Sequence, residues 1–123
     1  MAQKILVIDD SPIVRQTLAA ILRHNGYEIE LAEDGKRGVA AFRAGAPDLV
    51  ITDLIMPEKE GLETIRDIRR DNPDAKIVAI SGGARTGHAD FLRMAQAFGA
   101  VAVIAKPFAT QEVVDCVKTC LGA

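Results

Sequence analysis

Aromatic residues, basic charge and long apolar runs are all scarce in this chain of 123 residues. Aromatics make up 4% of the chain and tryptophan is absent, so a packed core must be built from aliphatic side chains. Lys and Arg number 15 against 17 Asp and Glu, whereas nucleic-acid-binding domains usually carry a basic excess. The longest apolar run, Ala100 to Ala105, is far short of the roughly 20 residues that a membrane-spanning helix needs. We therefore expect neither direct nucleic-acid binding nor membrane insertion.

Cysteine is also scarce, and its placement argues against two kinds of site. Cys116 and Cys120 lie four residues apart in a helical pattern, a spacing that does not easily meet disulfide geometry. A thiolate metal site would need further Cys or His residues nearby, and the sequence has none there. Free thiols favour a reducing compartment, and Met1 to Lys4 lead directly into a strand-like run without the pattern of a signal peptide. These features predict a cytoplasmic protein.

The chain does contain a regular alternation of short apolar runs with segments of helical spacing. Runs typical of strands occur at five places, 4–9, 27–32, 48–53, 76–81 and 101–105. The intervening segments predict helices, with Gly26, Gly45 and Gly99 as stops and Thr110 opening the last one. The runs at 5–8 and 49–51 are apolar on both faces, as in a parallel sheet covered by helices on both sides. We expect one α/β domain over residues 1–123, a doubly wound sheet of five βα units, with no output domain.

Polar residues follow four of the five predicted strands. The first strand ends in Asp9-Asp10, the third in Asp53, the fourth in Ser81, and the fifth is followed by Lys106-Pro107. Ligands of doubly wound folds bind beyond the carboxyl ends of the strands, so these side chains are expected to converge. Neither a GxGxxG turn nor a Walker P-loop is present, which argues against a nucleotide site of those types.

Three carboxylates brought together repel one another and stay ionised only beside a cation. Oxygen ligands in a partly hydrated site suit Mg²⁺ or Mn²⁺, and a divalent cation with Lys106 would cancel the three negative charges. The neutral pocket could accept a phosphoryl group, with Asp53 as nucleophile and Ser81 as hydrogen-bond donor. Each residue also has a plain structural interpretation: Asp10 or Ser11 as a helix cap, Ser81 as a turn residue, and Lys106-Pro107 as a strand terminator.

Taken together, these motifs resemble a known family. Asp9-Asp10, Asp53 in Asp53-Leu-Ile-Met-Pro57, Ser81-Gly82 and Lys106-Pro107-Phe108 are similar to the receiver domain of two-component response regulators, including single-domain chemotaxis regulators. The resemblance extends from Lys4 to Leu121 and implies a flavodoxin-like (βα)5 sheet of order 2-1-3-4-5.

The resemblance also implies a role for each site residue. Asp53 would accept a phosphoryl group from the phosphohistidine of a sensor histidine kinase or a histidine phosphotransferase. Mg²⁺ would be held by Asp10, Asp53 and the main-chain carbonyl of Ile55, with Asp9 acting through water. Lys106 would contact the phosphoryl group, and the Lys106-Pro107 bond would be cis. The protein would be a signalling module with intrinsic autodephosphorylation and not a turnover enzyme.

Signal output is expected to run through protein contacts. A downstream target would bind the face formed by the fourth predicted helix, the fifth strand and the fifth predicted helix, and a homodimer could use the same face. Ile13 and Ala20 on the first helix form a candidate face for the kinase. Val103 stands where the family usually has a switch aromatic, and valine has no ring to rotate. We therefore expect the switch to act through the glycine-rich segment 82–87 and the helix after it.

Several alternatives stay open on sequence alone. The chain could be a phosphorelay intermediate or a fragment of a larger regulator. A phosphohydrolase of the haloacid dehalogenase type also uses a strand-end Asp nucleophile, but it needs an acid two residues later, where this chain has Ile55. An FMN carrier would place phosphate beside Asp9 and Asp10, which would repel it. A scaffold that is never phosphorylated would have no use for three mutually repelling acids.

Overall fold

The computed structural model describes residues 2–54, 61–81, 93, 96–97, 99–106 and 108–122. The described strands are β1 (Lys4–Ile8), β2 (Glu28–Ala32), β3 (Leu49–Asp53), β4 (Ile77–Ser81) and β5 (Ala102–Ala105). The helices are α1 (Pro12–His24), α2 (Gly35–Gly45), α3 (Gly61–Asp71) and α4 (Thr110–Leu121). The helix that we call α4 is the fifth of the sequence prediction. Most of the fourth predicted helix lies outside the described residues, as do segment 82–87 and Pro107.

The strands form one parallel sheet of order β2-β1-β3-β4-β5, which confirms the expected topology. Successive residues of β1 enter two different clusters: Leu6 and Ile8 pack on one face of the sheet, and Ile5 and Val7 on the other. All four are fully buried. A strand covered on both faces has no reason to alternate apolar and polar residues, which explains the continuous apolar runs of the sequence.

The helices divide between the two faces of the sheet. Apolar residues of α2 and α3 cover one face, and those of α1 and α4 cover the other; they are Val39, Phe42, Ile65 and Ile68 on the first, and Leu18, Leu22, Val113 and Val117 on the second. Phe42 is the aromatic residue among the buried core positions that the structure describes, so the core is aliphatic as expected. Burying each such side chain stabilises the fold by about 1.5–3 kcal/mol.

Helix α2 approaches the sheet closely at Gly38. A Cβ atom added there would lie 2.7 Å from Cγ1 of Ile8 and closer still to its Cδ1, so the side chain of Ile8 would have to shift. The approach therefore depends on the absence of a side chain at this position of the helix.

The two cysteines lie on α4, and both are free and half-buried against the core. Burial, together with the neighbouring Cys120, raises the pKa of Cys116 to about 11. A thiol with such a pKa stays protonated at neutral pH, so Cys116 is an unreactive, small apolar group at the edge of the core.

The helix ends correct two details of the sequence prediction. Thr110 is not the cap of α4, because the cap is Ala109, whose N–H donates to Oε1 of Glu112 at 2.8 Å. Gly45 is the last residue of α2, but the left-handed position that ends the helix is Ala46, with φ of 44°. Gly26 has the expected positive φ, 91°, after α1. None of the helices in the described part of the chain combines the length and apolar character that crossing a membrane requires.

The left-handed Ala46 generates a stability prediction. Ala46→Gly should raise the free energy of unfolding by about 0.5–1 kcal/mol, because glycine adopts this conformation without the steric cost that the Cβ imposes. The same change at Ala40, an exposed interior position of α2, should lower it by about 1 kcal/mol. Urea unfolding monitored by circular dichroism measures both, and a loss of stability in Ala46→Gly would contradict the prediction.

Candidate functional site

Three carboxylates meet at the carboxyl edge of the sheet. Asp9 and Asp10 directly follow β1, and Asp53 is the last residue of the neighbouring β3, where Ile8 pairs with Thr52. One oxygen of each carboxylate lies within 4.8 Å of the others. Asp9 is fully buried and Asp53 nearly so, while Asp10 is exposed. The acids therefore converge as predicted, with one of them open to solvent.

Lys106 reaches this cluster from the edge strand β5, two strands away from β3. It follows β5, and its side chain crosses the end of β4 to bring Nζ within 3.0 Å of Oδ2 of Asp9 and 3.3 Å of Oδ2 of Asp53. Burial alone would lower the pKa of Lys106, but attraction to Asp53 and Asp9 and the hydrogen bonds to them raise it above its usual value. The ammonium group is therefore charged at neutral pH and bridges the two buried acids.

The backbone around Asp9 is held at several points. Oδ1 of Asp9 accepts from the N–H of Ser11 at 2.9 Å, and the Asp9 N–H donates to the carbonyl of Ala32 at 3.1 Å. The carbonyl of Asp9 accepts from Nη1 of Arg15 at 2.7 Å. Ser11 caps α1 by accepting from the N–H of Val14, so the capping role left open between Asp10 and Ser11 belongs to Ser11.

The donor set fits a hard divalent cation. Three carboxylates with one ammonium group leave an excess of negative charge, and every candidate ligand atom is oxygen. Mg²⁺ and Mn²⁺ bind such oxygen ligands and retain some of their water, which the exposed position of Asp10 permits.

The remaining predicted site residues are described only in part. Ser81 is the last residue of β4 and pairs with Ala105 of β5, which places its backbone at the same edge of the sheet; its side chain lies outside the described structure. Ile55 and Pro107 also lie outside the described residues. Val103 lies in β5 and packs, partly buried, against the cluster shared with α2 and α3.

Two residues at this edge were missed by the sequence analysis. Arg15 contacts the carbonyl of Asp9, and its only sequence signal is a basic residue in the second turn of the first helix. Asp34 is a buried acid after β2, but it caps α2 by accepting from the N–H of Arg37 at 2.8 Å. Its position directly before a helix is the signal of that structural role.

The sequence profile described as "Response regulator receiver domain" matches residues 5–118. The chain belongs to this family. The receiver is 32% identical over 123 residues to the chemotaxis protein CheY of Bacillus subtilis, covering 99% of this chain and 100% of CheY. It is 37% identical over 112 residues to the response regulator MprA of Mycolicibacterium vanbaalenii, covering 91% of this chain and 47% of MprA. The receiver thus spans about half the length of MprA and the whole length of CheY.

Solved structures show the same fold. CheY4 of Vibrio cholerae superposes with a TM-score of 0.90 at 26% identity, covering 98% of this receiver and 100% of CheY4. The response regulator TrrA of Thermotoga maritima, solved in complex with Mg²⁺ and BeF, superposes with a TM-score of 0.86 at 36% identity, covering 97% and 99% of the two chains.

The bridge made by Lys106 leads to a prediction about stability. With EDTA present at pH 7, Lys106→Met should lower the free energy of unfolding by about 2 kcal/mol, because it leaves Asp9 and Asp53 without their cation. Since the pKa of Lys106 is raised on folding, its contribution is fully present below the unfolded value near 10.4 and is lost as the pH rises through the folded value. The loss should therefore be the same at pH 7 and pH 9 in urea unfolding experiments.

The matched control is Lys118→Met, at an exposed lysine in the last turn of α4. Its effect should stay within about 0.5 kcal/mol, as is usual for surface substitutions. Equal effects of the two substitutions would contradict a stabilising role for the bridge.

Proposed function

We propose that this receiver accepts a phosphoryl group on Asp53 in a reaction that depends on Mg²⁺, or Mn²⁺ in its place. The observation that carries the proposal is the convergence of Asp9, Asp10 and Asp53 with the Lys106 ammonium group at one sheet edge. A purely structural cluster would gain nothing from three acids so close together, whereas a phosphoryl-transfer site needs a nucleophilic oxygen beside concentrated positive charge.

The donor in this proposal is the phosphohistidine of a sensor histidine kinase or of a histidine phosphotransferase. An oxygen of the Asp53 carboxylate attacks phosphorus, the P–N bond breaks, and the imidazole leaves with the electron pair. Lys106, which already lies 3.3 Å from Oδ2 of Asp53, contacts the phosphoryl oxygens and stabilises the charge that develops on them. Ser81 donates a further hydrogen bond from the end of β4.

The ligands proposed for the cation are Asp10, Asp53 and the main-chain carbonyl of Ile55, with Asp9 acting through water. When bound, the ion supplies positive charge opposite the phosphoryl oxygens. The exposed position of Asp10 leaves this side of the site open to solvent and to an incoming phosphohistidine. The complex of TrrA with Mg²⁺ and BeF is consistent with this assignment.

The product is proposed to act by changing protein contacts in the cytoplasm and to decay by intrinsic autodephosphorylation, so the chain is not a turnover enzyme. Ile13 of α1, three residues after Asp10 in the chain, has 76% of its surface exposed, which suits a docking face for the kinase. Val101, just before the edge strand β5, is 54% exposed and supports a target or homodimer contact on that side.

The single domain over residues 1–123 stays a prediction, and a phosphorelay intermediate remains the second candidate function.

The acceptor role is tested by incubation with Mg²⁺ and a small acyl phosphate, followed by intact-mass measurement. The wild-type protein should gain one phosphoryl group, and Asp53→Asn should gain none, because the amide is not a nucleophile. Asp34→Asn is the matched control, since Asp34 is another buried strand-end acid that serves as a helix cap; it should be phosphorylated like the wild type.

The outcomes separate the candidate functions. Continuous release of phosphate from the acyl phosphate, many times per protein molecule, would favour a hydrolase of the haloacid dehalogenase type. A wild-type protein that gains no mass would favour a scaffold, and equal labelling of Asp53→Asn would place the acceptor elsewhere.

The path of the switch is a separate prediction. Because Val103 has no ring to rotate, phosphorylation should change amide hydrogen exchange across residues 82–98 more than in β5. Hydrogen-exchange mass spectrometry with and without the phosphoryl analogue beryllium fluoride measures this. Exchange that is unchanged across 82–98 would contradict the prediction.

A further inference from the structure

Every polar group of Asp9 takes part in a hydrogen bond. Its Oδ1 and Oδ2 accept from the N–H of Ser11 and from Nζ of Lys106, at 2.9 Å and 3.0 Å. Its N–H donates to the carbonyl of Ala32 in the neighbouring strand. The remaining polar group, the main-chain carbonyl, accepts from Nη1 of Arg15. Each polar group of Asp9 thus has a partner of a different kind.

Arg15 supplies the contact that ties the helix to the end of the strand. It lies in the second turn of α1, is half-buried, and reaches back six residues to form a 2.7 Å hydrogen bond. Hydrogen bonds donated by a charged group are short and about twice as strong as neutral ones. The bond joins the first turns of α1 to the segment that carries both Asp9 and Asp10, and so restrains the path of that segment.

Arg15 is only partly buried. It lines a cleft of about 280 Å³ beside Leu31, Glu33 and Arg37, between α1 and the start of α2. Solvent in the cleft screens the charge of Arg15 toward the acid cluster, whereas the 2.7 Å hydrogen bond to the Asp9 carbonyl is partly buried and is screened less. Arg15 can therefore act on the site more strongly through its hydrogen bond, which positions the Asp9 backbone, than through its charge.

We propose that Arg15 is a positioning residue for the divalent cation: by holding the Asp9 carbonyl it fixes the Asp9-Asp10 segment in the geometry that the ion requires. The inference rests on the proposed function, since it assumes that the acid cluster binds Mg²⁺. Partners that orient ligand groups from outside the coordination sphere typically change metal affinity by 10–100-fold when they are lost.

Charge and positioning predict opposite results for the same substitution. Removal of the Arg15 cation makes the surroundings of the acids more negative, which on charge alone would tighten Mg²⁺ binding. Loss of the hydrogen bond frees the Asp9-Asp10 segment, which would weaken binding because the ligands must then be ordered by the ion itself. The direction of the change therefore identifies the role.

The test is Mg²⁺ titration by isothermal calorimetry on the wild type, Arg15→Ala, Arg15→Lys and Arg23→Ala. Arg15→Ala should raise the Kd for Mg²⁺ about tenfold. Arg15→Lys, whose long side chain can still donate to the Asp9 carbonyl, should recover part of this loss. Arg23→Ala is the matched control, because Arg23 is an exposed arginine in the last turn of the same helix and its loss changes net charge equally; its Kd should equal that of the wild type.

A second readout needs no metal. In EDTA, the Ser11 amide, which donates to Oδ1 of Asp9, should exchange its hydrogen faster in Arg15→Ala than in the wild type and in Arg23→Ala, as measured by NMR. This measurement also serves if Arg15→Ala proves less stable, because Arg15→Lys can be compared with the wild type in the same way.

Unchanged or tighter Mg²⁺ binding by Arg15→Ala would overturn the positioning role while leaving the proposed function intact. Failure of the wild type to bind Mg²⁺, or equal binding by Asp53→Asn, would instead overturn the proposed function and the inference together. The wild-type and Asp53→Asn titrations therefore distinguish the two failures.

Discussion

Mutual repulsion among Asp9, Asp10 and Asp53 is the constraint around which this end of the molecule is built. Carboxylates within 4.8 Å of one another repel, and two of these three are buried, where water screens the repulsion poorly. Lys106 offsets part of this repulsion from the edge strand β5, and the hydrogen bonds from Ser11 and Arg15 hold Asp9 in place. The cluster still carries excess negative charge, which would attract a divalent cation.

The sheet makes this arrangement possible because its strands end level with one another. In a parallel sheet buried on both faces, the inner positions of the central strands are mostly apolar, and the polar side chains of the site collect at the carboxyl ends of the strands. The adjacent positions of β1 and β3 bring Asp9 beside Asp53, and a long side chain is then sufficient to add a cation from β5. The strand order thus determines which charged side chains meet at the site.

Most of this could be predicted from the sequence because it depends on two strong patterns. The apolar runs predict the strands, and the polar residues directly after them predict the site. Asp9, Asp53 and Lys106 can therefore be selected as site residues from the sequence alone. The strand order came from the resemblance, since periodicity alone does not say which strands are neighbours. The role of Arg15 could not be predicted, because a hydrogen bond to a main-chain carbonyl six residues away leaves no pattern in residue types.

The helix ends show a similar limit. Thr110 is a better capping residue than Ala109 by propensity, yet Ala109 occupies the cap because Glu112 bonds back to its N–H. Ala46 adopts a left-handed conformation that favours glycine, although Gly45 stands one residue earlier. In both places the residue at the helix end differs by one position from the residue that local preference favours.

The close approach at Gly38 ties the chemistry of the site to the opposite layer of the molecule. Ile8, which fills the space where a side chain at position 38 would stand, is the residue immediately before Asp9. A methyl group added to α2 at position 38 would press on the side chain of Ile8, which a single peptide unit joins to the acid that accepts from Nζ of Lys106. The buried face of α2 that packs on the sheet is thus a place from which a substitution could reach the acid cluster without altering any of the residues that form it.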